Sequence, residues 1–271
     1  MIVSDQIGNK IELKRKPKRI VSLVPSLTET IFDLGMGEYL VGATRFCVEP
    51  KGLVEKVPKV GGTKKINIEF ILDLQPDIVI ANKEENDKEQ VENLQKFVPV
   101  WVSNVIAIED SFDLIQKLGE IFGKFETAKD ILEKIKTKIE VFSKQIRDSA
   151  YFSKKVLYFI WKKPYMVVGK DTFINSMLNL CSLNNLGTTI FSNSRYPVVA
   201  KDELTQLTPD LVYLSTEPYP FSEKHLTEFK ELFPNSEIRV VRGDYFSWYG
   251  SRILKAIDYF GELFELDCHR Y

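Results

Sequence analysis

Soft metal ligands and disulfide-forming residues are scarce in this sequence. Its 271 residues include two His and three Cys, at 47, 181 and 268. That odd count at wide spacing matches neither a disulfide framework nor a zinc motif and leaves little material for a soft-metal site. Excess charge is missing too: 37 Lys and Arg face 38 Asp and Glu, for a net charge of −1, whereas nucleic-acid binders carry a marked basic surplus. No run approaches the ~18 apolar residues of a membrane span, so no membrane insertion is expected. There is no Gly-x-Gly-x-x-Gly and no phosphate-loop Gly-Lys-Ser/Thr pattern. The opening Met1-Ile2-Val3-Ser4-Asp5-Gln6 has no basic region leading into an apolar stretch and no lipobox-like Cys. By that reading no secretory signal is present, and the chain as it stands is expected to be cytoplasmic. A nucleophile with its base is not apparent either, which disfavours an enzyme. His225 falls in a polar, helical stretch, and Cys268-His269 belongs to a terminus expected to fray. Cys47 either touches the metal centre of a ligand or fills a small apolar space.

What is present describes a folded α/β protein. Hydrophobic residues make up 44% and charged residues 28%, a globular balance, and the length suits one large domain or two lobes. Gly8-Asn9 between short alternating runs predicts a small hairpin. The basic segment Lys14-Arg15-Lys16-Pro17-Lys18-Arg19 reads either as a patch for an anionic partner or as a solvated edge. It leads into Arg19–Val24, a short apolar run suited to a buried strand. In the following Pro25-Ser26-Leu27-Thr28-Glu29, the spacing of Ser26 and Glu29 predicts a capping box, and the helix should end at Gly35 or Gly37. Further strands are expected at 39–43, 77–81, 99–103, 155–160, 210–215 and 237–241. Helices are expected at 68–74, 87–97, 172–181, 201–207, 224–233 and 251–266. Such alternation gives mostly parallel sheets. Between the two groups, Leu114, Leu118, Ile121, Phe125, Ala128, Leu132, Ile135, Ile139, Phe142 and Ile146 recur at alternating steps of four and three, a helical stripe. It reads as a coiled coil or as a long helix packed across two lobes and divided at Gly123. The expected division is an N-terminal lobe at 1–107, a connecting helix at 108–150 and a C-terminal lobe at 151–271.

An internal repeat supports two lobes. Glu69-Phe70-Ile71-Leu72-Asp73-Leu74-Gln75-Pro76-Asp77-Ile78-Val79 matches Asp202-Glu203-Leu204-Thr205-Gln206-Leu207-Thr208-Pro209-Asp210-Leu211-Val212, with the two Pro-Asp pairs 133 residues apart. Each copy is a short helix stopped by Pro, followed by a buried strand. Two lobes on one plan would leave a cleft between them, where ligands preferentially bind. Glu69 and Asp202 hold equivalent places in the first turn of a helix. An acid there is stabilised by the helix dipole alone, by roughly 0.3–1 kcal/mol; the sharper reading is a matched pair of surface acids for docking on a basic partner.

Several motifs carry a family resemblance. Arg19-Ile20-Val21-Ser22-Leu23-Val24-Pro25-Ser26-Leu27-Thr28-Glu29, then Val41-Gly42-Ala43-Thr44, resemble the opening of the iron-siderophore and vitamin B12 class of periplasmic binding proteins, nearest its cobalamin-binding branch. Val60-Gly61-Gly62 with Asn67-Ile68-Glu69, the Leu-x-Pro-Asp-Ile-Val segment, Gly169 with Thr172-Phe173, and Gly243-Asp244-Tyr245-Phe246 are similar too, in family order over about residues 18–266. The resemblance implies two Rossmann-like lobes joined by a long backbone helix and no enzymatic activity. It implies no intrinsic cofactor; the ligand would be a metal chelate: cobalamin or another corrinoid, haem, or a ferric siderophore. It also implies a periplasmic or cell-surface location, monomeric action, and docking on an ABC-transporter permease through one acid per lobe. Glu69 and Asp202 match those acids, with Glu203 as a near alternative. By position the ligand residues are Phe46, Thr63, Asn82, Tyr165, Tyr196, Asp244 and Trp248. Thr63 and Asn82 are small and polar where B12-binding relatives carry large aromatics. The aromatic run Tyr245-Phe246-Ser247-Trp248-Tyr249 reads as a loop at the cleft, adding Phe246 and Tyr249, while Trp161 with Tyr165 and Tyr219 with Phe221 form further clusters. Arg45, Arg195 and Arg252 are candidates for ligand carboxylates or phosphate, or each is a surface salt-bridge residue. The same cleft would serve a cytosolic corrinoid-handling protein without a transporter, or, more remotely, an enzyme of metallocluster assembly.

Overall fold

The chain opens with the expected hairpin: β1 (Ile2–Ser4) and β2 (Lys10–Glu12) pair antiparallel, Val3 opposite Ile11, in a computed structural model that describes residues 1–191 and 194–266. After the basic segment come β3 (Ile20–Ser22), α1 (Pro25–Asp33), β4 (Leu40–Ala43), α2 (Ile68–Asp73), β5 (Ile78–Asn82), α3 (Lys88–Gln95), β6 (Val100–Ser103), α4 (Ile108–Phe122) and α5 (Phe125–Arg147). The strands form one parallel sheet in the order β4-β3-β5-β6. Val21, Leu23, Val79, Ala81, Val100 and Val102 give it a buried core against Val60, Ile71, Val91 and Leu94. Strands covered on both faces explain the near-continuous apolar runs.

Two compact units emerge. The first comprises Met1–Val105, Glu109–Ile135 and Trp248–Arg252; the second comprises Ile106–Ile108, Lys136–Ser247 and the segment from Ile253 onward. These limits differ from those expected from sequence. The boundary falls inside α5, and five residues from near the C-terminus belong to the first unit. A helix is continuous in sequence wherever its neighbours change, so periodicity does not report the change.

Gly123 does divide the long apolar stripe: it takes φ +66 between α4 and α5, a left-handed conformation that glycine adopts without a Cβ clash. The stripe holds on either side, with Leu114, Leu118, Ile121, Ala128, Ile135, Phe142 and Ile146 buried, but Phe125 is 55% exposed. The step across the break is not a helical one, so the coiled-coil alternative falls. The capping box is also not formed. Val24 is the cap residue, Pro25 opens α1, and no side chain caps the helix; proline at the first position has no amide to leave unpaired. Thr28 Oγ1 instead donates back to the Val24 carbonyl at 2.9 Å, and Glu29 is buried.

The second unit adds β7 (Lys155–Trp161), β8 (Tyr165–Val167), α6 (Phe173–Leu180), β9 (Asn184–Asn185), α7 (Leu186–Ile190), β10 (Val198–Val199), α8 (Lys201–Thr205), β11 (Leu211–Ser215), α9 (Leu226–Leu232), β12 (Glu237–Val241), α10 (Asp244–Ser247) and α11 (Ile253–Leu263). Its sheet runs β10-β8-β7-β11-β12, with β9 also pairing β7. The β7, β11 and β12 set is parallel, while β8 pairs antiparallel with β7 and β10 pairs antiparallel with β8. The short β8, β9 and β10 fall outside the strands expected from the sequence. Phe142 of α5 packs tilted against Phe260 of α11, with ring centroids 6.1 Å apart.

The repeat is built into both sheets by the same device. The Asp77 amide donates to the Arg19 carbonyl at 2.8 Å, and its Oδ2 accepts from the Arg19 amide at 3.0 Å. The Asp210 amide donates to the Lys155 carbonyl at 2.9 Å, and its Oδ2 accepts from the Lys155 amide at 2.7 Å. Each Pro-Asp pair therefore staples the start of one strand to the start of its parallel neighbour. Arg15 pairs with Asp77 at 3.0 Å, and the Arg19 guanidinium donates to the carbonyls of Leu74 and Gln75. The basic segment is thus a structural edge of the first unit.

Candidate functional site

In a parallel α/β sheet, ligands bind beyond the carboxyl ends of the strands, where helix amides and loop side chains converge. In the first unit, Arg45 and Phe46 follow β4. Phe46 is 52% exposed, and the Arg45 guanidinium carbon lies 5.5 Å from its ring centroid. Among the described residues Arg45 has no carboxylate partner, so the pair offers a flat apolar face beside an uncompensated cation. Cys47 behind them is buried, its Sγ 3.1 Å from Thr28 Oγ1 and 3.2 Å from Thr44 Oγ1. Burial pushes its thiol pKa up, against weaker opposing hydrogen bonds from the two threonines. Buried and held between two threonine hydroxyls, Cys47 fills space behind the pair.

Asn82 ends β5, but its side chain is committed to the fold. Nδ2 donates to Ser103 Oγ at 3.0 Å, and Oδ1 accepts from the amides of Glu84 and Glu85. Asn86 Nδ2 donates to the Thr63 carbonyl at 2.9 Å, so Asn82 and Thr63 are tied into one loop cluster. Asn82 and Asn86 line a hollow of about 380 Å3 shared with Ile7, Lys83, Val91 and Val102.

Residues Trp248–Arg252 also belong to the first unit. Trp248 is half-buried. Tyr249 is buried and its hydroxyl donates to Glu85 Oε1 at 3.2 Å; burial pushes its phenol pKa well up. Arg252, one of three candidates for a ligand anion, is 3% exposed against a Glu29 that is 1% exposed. Its Nη1 lies 3.1 and 3.4 Å from the two carboxylate oxygens.

In the second unit Tyr165 begins β8, edge-on to Phe159 and Phe229. Its hydroxyl donates to Glu228 Oε1 at 2.7 Å. Partial burial and that carboxylate push its pKa up to about 12. Burial raises the Glu228 pKa, but the opposing effect of Lys162 and Tyr165 holds it below the usual range. Tyr196 lies beside Arg195, whose guanidinium carbon is 5.6 Å from its ring centroid. Both Asp244 oxygens accept from Arg242, at 3.1 and 2.8 Å. Phe246 is a correction to the aromatic-loop reading: it has no exposed surface and packs 5.2 Å from Tyr158 and 4.7 Å from Phe260. The run is a helical turn through Ser247 followed by Trp248 and Tyr249, and two of its four rings, Phe246 and Tyr249, are buried, so it is not a loop of available rings. Trp161, which ends β7, and Tyr219, which follows β11, stand 5.5 Å apart and occupy the carboxyl edge that the positional list passed over. Their membership of aromatic clusters was the available signal. His225 is buried between Tyr219 and Phe221, and its Nδ1 accepts from the Ser222 amide at 3.1 Å. It ends a short helical turn, Glu223–His225, whose other residues are polar and exposed, and it alone of the three turns inward. Cys268 and His269 lie outside the described residues.

The three acids separate by what they touch. Glu69 is exposed in the first turn of α2, whose cap Asn67 accepts from the Phe70 amide, beside a hollow of about 500 Å3 lined by Gly61, Lys65, Ile66 and Ile68. Asp202 is exposed in the first turn of α8. Glu203 turns back to accept from the Ala200 amide at 2.8 Å, which caps the helix.

With this geometry in hand, residues 20–235 match the family model described as periplasmic binding protein. The chain belongs to that family. Members are binding proteins rather than enzymes, and no described helix is long and apolar enough to cross a membrane. The chain is similar to a substrate-binding lipoprotein of an ABC transporter, YvrC of Bacillus subtilis, at 27% identity over 78% of this chain and 67% of that protein. It is also similar to the vitamin B12-binding protein of Vibrio campbellii, at 25% identity over 92% of this chain and 90% of the other. Among solved structures, the periplasmic heme-binding protein RhuT from Roseiflexus sp. RS-1 matches with a TM-score of 0.80 and 20% identity, covering 92% and 98% of the two chains. The two α/β units with mostly parallel sheets are the fold of this family.

Proposed function

We propose that this protein is the substrate-binding component of an ABC-type importer and carries a metal chelate: a corrinoid, haem or a ferric siderophore. The observation that carries the reading is family membership over residues 20–235, in a chain whose relatives include a vitamin B12-binding protein and an ABC-transporter lipoprotein. The carboxyl-edge residues supply the chemistry such a ligand needs. Flat rings at Phe46, Tyr165, Tyr196 and Trp248 stack on a macrocycle, each able to cover about 150–250 Å² with little loss of side-chain freedom. Trp161 and Tyr219 extend that set. Arg45 meets an anionic substituent through charge-assisted hydrogen bonds. Asn82, Thr63, Asp244 and Tyr249 hold the surrounding loops, and Phe246 supports them from the core. Glu69 and Asp202 dock the loaded protein, acting as a monomer at the periplasmic or cell-surface side, onto permease arginines. Glu203 serves the helix rather than the partner. A cytosolic cofactor-handling role is not favoured, since these relatives are named for binding and import.

Calorimetric titration of the purified protein with cyanocobalamin, haemin and a ferric hydroxamate tests the binding step. Affinity tighter than millimolar for one of them is expected; none for any would sink the reading.

A further inference from the structure

Residues Trp248–Arg252 leave the second unit's chain, pack within the first unit and return. The segment is tied down at each residue. Tyr249 donates to Glu85, the Gly250 amide to Ser111 Oγ at 3.4 Å, and the Ser251 amide to Thr30 Oγ1 at 3.2 Å. A Cβ at Gly250, which takes φ +77, would stand 2.2 Å from Thr30 Oγ1. Arg252 pairs with Glu29, 223 residues away in sequence, with both side chains almost wholly buried. A buried ion pair is a poor way to gain stability, because desolvation offsets most of the attraction and an apolar pair of like volume does as well. What it does supply is a cation fixed in place. The Arg252 guanidinium carbon lies 4.9 Å from the Trp248 ring centroid, and a planar guanidinium on an aromatic face sets that ring's orientation. Trp248 is the half-buried ring of the segment.

We propose that Glu29 and Arg252 are positioning residues: Glu29 holds Arg252, and Arg252 holds the Trp248 indole in the orientation that stacks on a flat ligand. This rests on the binding reading above. The test uses 5-fluorotryptophan-labelled protein, with the Trp248 fluorine resonance assigned by its loss in Trp248→Phe. The double variant Glu29→Gln with Arg252→Met removes both charges, so neither is left buried alone. Expected are a thermal midpoint near that of the parent, a shifted Trp248 resonance with those of Trp101 and Trp161 unmoved, and about tenfold weaker binding of whichever of haemin and cyanocobalamin the parent takes up, the size of a desolvated cation–π contact. Arg252→Lys keeps the charge but loses the planar face, and should give the same shift and loss. An unmoved Trp248 resonance in both variants overturns the proposal, as does a moved resonance with unchanged affinity. If the parent binds neither probe, the binding reading fails, and the resonance alone decides whether this pair holds the ring.

Discussion

Ser26 and Glu29 stand three residues apart ahead of an apolar run, the spacing of a capping box, yet Pro25 shifts the helix start and Glu29 turns inward to Arg252. A local motif names which bonds a residue is able to make, and the partner that arrives from elsewhere decides which it makes. Tyr165 follows the same rule. Its phenol donates to Glu228, so Tyr165→Phe should cost about 1 kcal/mol at neutral pH, within the usual range for one hydrogen bond, measured by urea unfolding. Its pKa in the fold is raised to about 12 above the ordinary value near 10. The unfolded chain therefore loses the proton first, and this contribution is complete below about pH 10 and fades as the pH rises toward 12. Tyr165→Phe should lose less stability than the parent across that window, and an identical loss would place the alkaline sensitivity in other tyrosines.

Elements were the most legible scale. The apolar runs that predict β3, β5, β7 and β11 are those strands, because a sheet covered on both faces needs unbroken apolar sequence. The Pro-Asp repeat marks the same strand staple in each unit. Asp77 shows its energetics: burial raises its pKa, but the Lys18 and Arg19 amides and Arg15 outweigh that and lower it below the ordinary value. A depressed carboxylate stabilises the fold above the unfolded-state pKa, near 4, and that contribution is lost as the pH falls through the folded-state value. Asp77→Asn should cost about 1–2 kcal/mol at pH 7 and flatten the acid limb of a stability-versus-pH curve; a parallel limb would refute the assignment. Gly123→Ala, at a left-handed position between α4 and α5, should cost about 1 kcal/mol, read as a lowered unfolding midpoint. The short β8 and β10 escaped prediction because strands of two or three residues carry no measurable period.

For the whole molecule, the two exposed acids and the capping acid make separable claims. Glu69→Ala with Asp202→Ala should leave ligand affinity and folding unchanged and abolish transporter-dependent uptake in cells or proteoliposomes; undiminished uptake would end the docking role. Glu203→Ala should cost about 1 kcal/mol of stability through its lost cap and spare uptake. The chain's return into the first unit also predicts that residues 1–150 alone are not a stable fragment. They would carry Glu29 buried without Arg252, a loss of about 3–5 kcal/mol, seen as weak amide-exchange protection of α1 and β3.

The α/β class, the doubled plan, the starts of the strands and the exposed acids at two helix N-termini are properties of residues near one another in the chain, and the sequence alone determined them. Which unit owns Trp248–Arg252, which aromatic ring is spent in the core at Phe246, and whether Arg252 faces a ligand or Glu29 were decided only by the tertiary structure. Those outcomes depend on which distant side chains share a desolvated space, and burial there changes the cost of a charge or an exposed ring by more than any local propensity does.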